Sequence, residues 1–347
     1  MIGIIFDVVM KVYDNKDEIR KLFGSKYLNY DVDKLLSCYS REKLLSNKIP
    51  YTLLYNFMEN PNKEIVISKM DDHFKLCYDD DIDIKSFQVE AYNEFKRNGK
   101  FIYDDHTVSL RSIENVGDKF ILNVQQSKYS DQVQSHLVLD WINENLENRG
   151  SLRGIIKSKY TTNLLPSLDC PLLSNSLGIS TIIYFKGDNG ELVPYLPYRN
   201  KSKINAKRNA LALYEGVYHC SSSGVLKWTN DEMNMSWIEK EMYREIHEEI
   251  GLEKLNIVKL KPIAIVRELL RAGKPQIFFI GYTDLKESEL VELRKNSIKG
   301  SIANKDKKEI RNKHLSRKKI SNKNLLSLEA IGNLCMSEKY KISENVL

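Results

Sequence analysis

The segment 236–252 constrains this chain most, because its pattern admits one local structure and leaves that structure with a surface that needs a partner. Ser236 followed three residues later by Glu239 reads as a capping box, in which each side chain satisfies a main-chain N–H at a helix start. A helix is therefore predicted from Trp237, with Ser236 as its N-cap. Gly251 can take the left-handed conformation that closes a helix, which puts the end near Ile250. Met242, Ile246 and Ile250 recur every fourth residue as an apolar stripe, while Glu245, Glu248 and Glu249 share the opposite face. Like charges at these spacings cost a helix roughly a few tenths of a kcal/mol per pair, so an ordinary surface helix gains nothing from them. A divalent cation removes the conflict. Mg²⁺ takes a few carboxylates together with water and substrate phosphates, which suits this face. Arg244, four residues before Glu248, can pair with it and fix its rotamer. The simpler alternative is a solvated, glutamate-rich helix, and a bare E-x-x-E-E would not exclude it.

The full string is more specific. Arg244-Glu245-Ile246-His247-Glu248-Glu249-Ile250-Gly251-Leu252 resembles the core of the Nudix box, R-E-U-x-E-E-x-G-U with U aliphatic, and meets every fixed position. The full box also asks for a glutamate eight residues before the arginine and a glycine six residues before that, where this chain has Ser236 and Asn230. Gly224 can take the glycine's place if the intervening loop is six residues longer than the standard one. That departure bears on a main-chain carbonyl that often ligates metal in the family and leaves the carboxylates untouched.

The surrounding chain extends the resemblance. Leu177 to Phe185 reads as a buried strand, and Gly187-Asp188-Asn189-Gly190 as a hairpin turn into a second strand over Glu191 to Leu196. These look like the first two strands of the family's fold. Short motifs around Ser174 to Gly178, Ser221 to Gly224 and Arg267 to Pro275, the last leading into a strand over Gln276 to Tyr282, are similar to a subgroup of long Nudix proteins with an N-terminal extension, some acting on nucleotide sugars. The resemblance covers about residues 170–290. It implies an α/β (α+β) fold, an α/β/α sandwich with a mixed sheet over 171–347, preceded by a smaller α+β domain over 1–170.

The same resemblance implies Mg²⁺-dependent, or Mn²⁺-dependent, hydrolysis of a pyrophosphate bond in a nucleoside diphosphate linked to another moiety, such as a nucleotide sugar, ADP-ribose or a NAD-like compound. Metal ions would neutralise the phosphate oxygens and acidify a bound water. Glu245, Glu248 and Glu249 are the expected metal ligands, with Glu245, Glu248 and Arg244 forming the catalytic set. The general base is either one of these glutamates or one from a later loop. Glu287, Glu289 and Glu292 are candidates there, although each reads more simply as an exposed residue of a helix over Lys286 to Lys295. Arg199, Arg267, Arg271 and Lys274 are candidates to neutralise substrate phosphates, against the plain reading of surface charges. Two other functions use the same residues: an RNA 5′-end (cap) pyrophosphohydrolase, and a catalytically silent nucleotide sensor, which the three retained carboxylates disfavour.

Composition sets the context. The chain has 347 residues and 42% apolar content, enough for a real core. Its five cysteines, Cys38, Cys77, Cys170, Cys220 and Cys335, are widely spaced with no C-x-x-C pair, and reduced thiols in the cytoplasm are expected. The opening Met1 to Met10 lacks a basic region and a small-residue cleavage site, and no apolar run approaches the roughly 18 residues of a membrane span.

Charge is concentrated in one segment. Residues 294–323 hold twelve Lys/Arg against Asp306 and Glu309, a net of +10 in a chain whose total is +6, so the remainder is net acidic. The sharp reading is contact with nucleic acid through phosphate neutralisation. The segment has no aromatic residue to stack a base, and a flexible, solvated insertion near the substrate entrance is the simpler expectation. Leu325 to Tyr340 follows as a closing helix.

The first half says less. Helices are predicted over Asp31 to Leu45 and Ile82 to Arg97, the latter ended by Gly99, with strands over Thr107 to Ile113 and Lys119 to Val124. The acidic run Asp79-Asp80-Asp81-Ile82-Asp83 lacks the glycine and closing glutamate of a calcium loop and reads as a solvated turn, as does His106. Three roles stay open for this half: capping the substrate site, homodimerisation, or sensing a partner.

Overall fold

In the computed structural model the described residues are 32–46, 49–77, 85, 88–89, 92–93, 104–140, 151–160, 163–187, 189–199, 217–300, 310–315 and 326–343. The acidic run 79–83, Gly99, the first ten residues and most of the predicted helix over 82–97 lie outside them.

The apolar run predicted as a buried strand is the centre of the molecule. It forms β6 (Gly178–Lys186), in which every residue but the last is buried. Alternation explains why the run is continuously apolar. Ile182 and Tyr184 enter one core with Phe278, Ile280 and Val266, whereas Ile179, Ile183 and Phe185 enter a second with Ile277, Phe279 and Ile265.

Around β6 the mixed sheet runs β1 (Leu44–Ser46), β2 (Ile49–Asn56), β9 (Lys259–Glu268), β10 (Lys274–Thr283), β6, β7 (Leu192–Arg199), β11 (Ile310–Leu315), with β8 (Ser222–Val225) also pairing β6. β6 is parallel to β10 and antiparallel to β7 and β8. The Gly187 to Gly190 turn joins β6 to β7 as expected. The Gly187 N–H donates to the Glu191 carbonyl at 2.8 Å, and Gly190 sits at φ +78°, a region that favours glycine.

A second sheet of three strands, β3 (Glu64–His73), β5 (Lys119–Lys128) and β4 (His106–Val116), packs on one face of the first through Val108, Leu110, Phe120, Leu122 and Val124. His106 opens β4 rather than lying in a turn, with its Nδ1 2.6 Å from Gln126 Nε2. The other face carries α1 (Val32–Cys38) and α6 (Leu328–Ser343), whose Leu35, Ile331 and Leu334 join the first core. α1 is shorter than the predicted helix over 31–45 because Leu44 and Ser46 pair with Thr52 and Ile49 instead.

Thus strands from before residue 170 complete the main sheet. β2 hydrogen-bonds β9 over Tyr51 to Asn56, so main-chain pairing crosses the division expected at 170. Three buried side chains stitch the same junction. Arg111 Nη1 donates to the Leu173 carbonyl at 3.1 Å, and Arg153 takes both oxygens of Asp140 through Nε at 2.7 Å and Nη2 at 2.8 Å while also reaching the Leu269 and Leu270 carbonyls. His136, the third, lies just after α2 (Tyr129–Gln134), ahead of α3 (Leu152–Tyr160), and contacts Arg271 across the β9–β10 connection.

Candidate functional site

The acidic helix is α4 (Met235–Ile250), which lies on the same face of the main sheet as the three-stranded sheet. It begins two residues earlier than predicted, and a different residue caps it. Asn234 is the N-cap, its Oδ1 accepting the Trp237 N–H at 3.0 Å, while Ser236 is already helical and has no capping role. The other end is as expected: Gly251 is left-handed at φ 76°, its N–H donating to the His247 carbonyl at 3.0 Å. Ile238, Met242, Ile246 and Ile250 are buried, which fixes the register and turns the carboxylates along one side.

Arg244 organises them. Its Nη1 donates to Glu248 Oε2 at 2.8 Å, its Nη2 to Glu245 Oε1 at 2.5 Å, and its Nε to Glu241 Oε2 at 3.1 Å. One guanidinium therefore spans two of the predicted ligands, and Glu241 anchors it from the preceding turn. Glu245 and Glu248 differ in access, with side chains 13% and 47% exposed. Burial raises the Glu245 carboxyl to about 7, with Glu249 and Glu248 nearby adding to the rise and Arg244 opposing it.

β8 closes the site from below. A Cβ on Gly224 would lie 2.5 Å from the Glu245 carboxylate carbon, so the carboxyl occupies space that only glycine leaves open. Glu249 Oε2 accepts the main-chain N–H of Ser223 at 2.9 Å, which ties the third carboxylate to the same strand.

On the far face of that strand lies a polar network that sequence reasoning missed. The Ser223 hydroxyl is 3.0 Å from His219 Nε2, and His219 Nδ1 is 2.5 Å from the Ser327 hydroxyl, which accepts the Ala330 N–H at 3.0 Å. Among the described residues, His219, Cys220 and Glu329 bring their ligand atoms within 4.8 Å of one another, whereas Glu245, Glu248 and Glu249 do not converge in that way. Nothing in the local sequence around His219 and Cys220 marks them, since their partners lie about a hundred positions away.

No family model matches this chain, and no curated protein matches it. Solved structures similar to it include a mutT/nudix family protein from Listeria innocua, at 19% identity and TM-score 0.33, covering 49% of this chain and 96% of that one. A Nudix hydrolase from M. Smegmatis is 9% identical with TM-score 0.29, covering 48% of this chain and 88% of its own. The NUDIX domain of Shewanella oneidensis NrtR, solved with ADP ribose, is 12% identical with TM-score 0.24, covering 38% and 71%. The chemical reading of the site rests on this chain's own side chains.

The remaining predicted residues lie elsewhere. Arg199 ends β7, and its side chain is outside the described residues. Arg267 is buried, donating through Nε to the Gly273 carbonyl at 2.9 Å and through Nη2 to the Pro166 carbonyl, so it holds its own hairpin. Arg271 Nε lies 3.6 Å from Glu268 Oε2. Lys274 shares the parity of Gln276, Phe278 and Ile280 on β10 and so faces α6, away from the α4 carboxylates. Burial lowers the Lys274 ammonium to about 8, Arg271 lowering it further and Glu329 and Glu268 opposing. Glu287, Glu289 and Glu292 belong to α5 (Glu287–Gly300), where Glu289 and Glu292 are exposed and Glu289 accepts the Lys286 N–H at 2.7 Å. Residues 294–323 are not a wholly solvated insertion: they continue α5 and supply β11, and Arg294 is buried. No helix among the described residues is long and apolar enough to cross a membrane.

Proposed function

We propose that this chain is a metal-dependent pyrophosphohydrolase of the Nudix type, acting on a nucleoside diphosphate linked to a second group. The observation that carries this is the pairing of Glu245 and Glu248 on two arms of Arg244, with the Glu245 carboxyl seated over Gly224. A surface helix has no need of a guanidinium shared among three carboxylates, nor of a strand that omits a side chain to admit one of them.

The donor set fits Mg²⁺ or Mn²⁺. Its donors are all carboxylate oxygens, and Mg²⁺ needs only one or two of them because waters and substrate phosphates complete its shell. Glu245, Glu248 and Glu249 would hold the ion, and bound there it supplies charge neutralisation at the phosphates and a more acidic water. Arg244 keeps Glu245 and Glu248 in place without a ligand, so less ordering is required when one arrives. Glu248, the more exposed of the pair, is placed to meet the incoming phosphates. Glu245, the less exposed of the pair, is held by Arg244 and seated over Gly224.

The test is turnover of a panel of ADP-ribose, NAD, nucleotide sugars, dinucleoside polyphosphates and capped RNA with Mg²⁺. Glu248→Gln and Glu249→Gln keep volume and remove charge, and each is expected to lower turnover by orders of magnitude with little loss of folding. Cleavage that survives exhaustive chelation, or equal activity in parent and variants, defeats the assignment. Nucleotide binding with no cleavage of any compound identifies a sensor instead.

A further inference from the structure

α5 carries a cation that the proposed reaction does not use. Arg294 is 1% exposed, and its Nη1 donates to the Tyr195 hydroxyl at 3.2 Å, but its Nε and Nη2 have no hydrogen-bond partner among the described residues. A buried guanidinium with two idle donors is costly, because a charge taken out of water needs its hydrogen bonds replaced. The idle pair is also chemically particular. Nε and Nη2 form the edge of the guanidinium that grips two oxygens of one anion, and in this same protein Arg153 uses that edge to hold both oxygens of Asp140 at 2.7 and 2.8 Å. Arg294 presents the same edge without the acid.

The surroundings supply further donors. Tyr195 is paired with Ile183 on β6, and one side-chain position along that face the directly paired Thr181 and Ser222 also turn toward the α4 side. The Thr181 and Ser222 hydroxyls are buried, and neither has a hydrogen-bond partner among the described residues. Among the described residues this side of the sheet thus holds one buried cation and two buried hydroxyls, all able to donate, with the Glu245 carboxyl one same-face position along β8 from Ser222, over Gly224.

We propose that Arg294 is an anion-binding residue and that the interior between α4 and α5 takes a phosphoryl group, gripped side-on by Nε and Nη2, with Thr181 and Ser222 as additional donors on the same face. Two oxygens on one centre match the fork, and the hydroxyls suit an anion with more than two acceptors, which a phosphate has and a carboxylate lacks. This goes beyond the hydrolytic reading, because it requires neither metal nor turnover.

The experiment is calorimetric titration of the full chain with inorganic phosphate in EDTA, alongside acetate at matched ionic strength, with pyrophosphate as the arm that stands for a phosphate still attached to a larger molecule. The parent is expected to bind phosphate or pyrophosphate saturably and acetate much more weakly. Arg294→Met should weaken that binding by at least about tenfold, and Arg294→Lys, which keeps the charge but not the fork, should also weaken it. Because the titration is run in EDTA and reads neither metal nor turnover, this reading and the hydrolytic one fail separately. No phosphate or pyrophosphate binding by the parent, or binding unchanged in Arg294→Lys, overturns the proposal, as does a preference for acetate. Arg294→Lys keeps the test decisive if the methionine variant does not fold.

Discussion

Acidification should destabilise this protein through one ring. His136 is fully buried, and its hydrogen bonds assign its protons: the Asn175 main-chain N–H donates to Nε2 at 2.9 Å, so Nε2 is an acceptor, and Nδ1–H donates to the Arg271 carbonyl at 2.6 Å. A second proton would set one N–H against another. Burial, the largest cause, pushes the imidazole from 6.5 down to about 3, and the nearby Lys274, Arg271 and Arg267 push the same way while the Arg271 carbonyl opposes. The sign follows. Between about pH 3 and 6.5 the unfolded chain binds a proton that the native chain refuses, so stability is intact above 6.5 and falls as the pH falls. The slope is about 1.4 kcal/mol per pH unit, and pH 5 lies 1.5 units below the unfolded value of 6.5, so about 2 kcal/mol is lost by then. Any native value below about 4 gives nearly the same loss, because the unfolded chain sets it. Urea unfolding at pH 7.5 and pH 5 should show the parent losing about 2 kcal/mol more than His136→Gln between the two conditions. Other titrating groups, including Asp131, which burial raises to about 6, act equally in both proteins and cancel. Equal losses in parent and variant, or an imidazole NMR titration near 6.5 in the native state, would refute the assigned tautomer and its burial.

Two further predictions follow from the α4 geometry. Asn234→Ala should cost about 1 kcal/mol in urea unfolding through loss of the cap, whereas Ser236→Ala should stay within about 0.5 kcal/mol, and the reverse order would restore the serine as N-cap. Gly224→Ala places a Cβ 2.5 Å from the Glu245 carboxylate carbon and should cut metal-dependent turnover by about tenfold or more with a small change in melting temperature; full activity would show that Glu245 can leave its seat freely.

The parts of the fold legible in the sequence are those whose pattern is local. The run 177–185 was continuous because β6 is covered on both faces, and the turn at 187–190 and the glycine at 251 each met a backbone need within a few residues. The cap was misread for a local reason as well: Asn234 and Ser236 are both good N-caps two residues apart, and which one is used depends on where the buried stripe of Ile238, Met242 and Ile246 seats the helix. The pairing of Arg244 with Glu248 is readable from the i, i+4 spacing, whereas its contact with Glu245 joins adjacent residues that helix geometry alone does not turn toward each other. What stayed hidden was non-local. Arg267 and Lys274 look like any surface cations until β2 and α6 cover their hairpin, and Arg294 sits inside a run of charges whose net sign conceals a member that faces inward. The Ser223, His219 and Ser327 contacts join segments that only the sheet brings together.

β9 lies between β10 and β2, so the strand that flanks the centre of the sheet has no open side. A fragment cut at residue 171 would strip β9 of that neighbour and present the main-chain row of Ala264 to Glu268 along its edge to any other chain in solution. Such a fragment would self-associate through that row, and its carboxylate helix would be judged in an aggregate. The unit that folds around α4 is thus larger than the stretch that carries its motif, because β2 belongs to the same sheet.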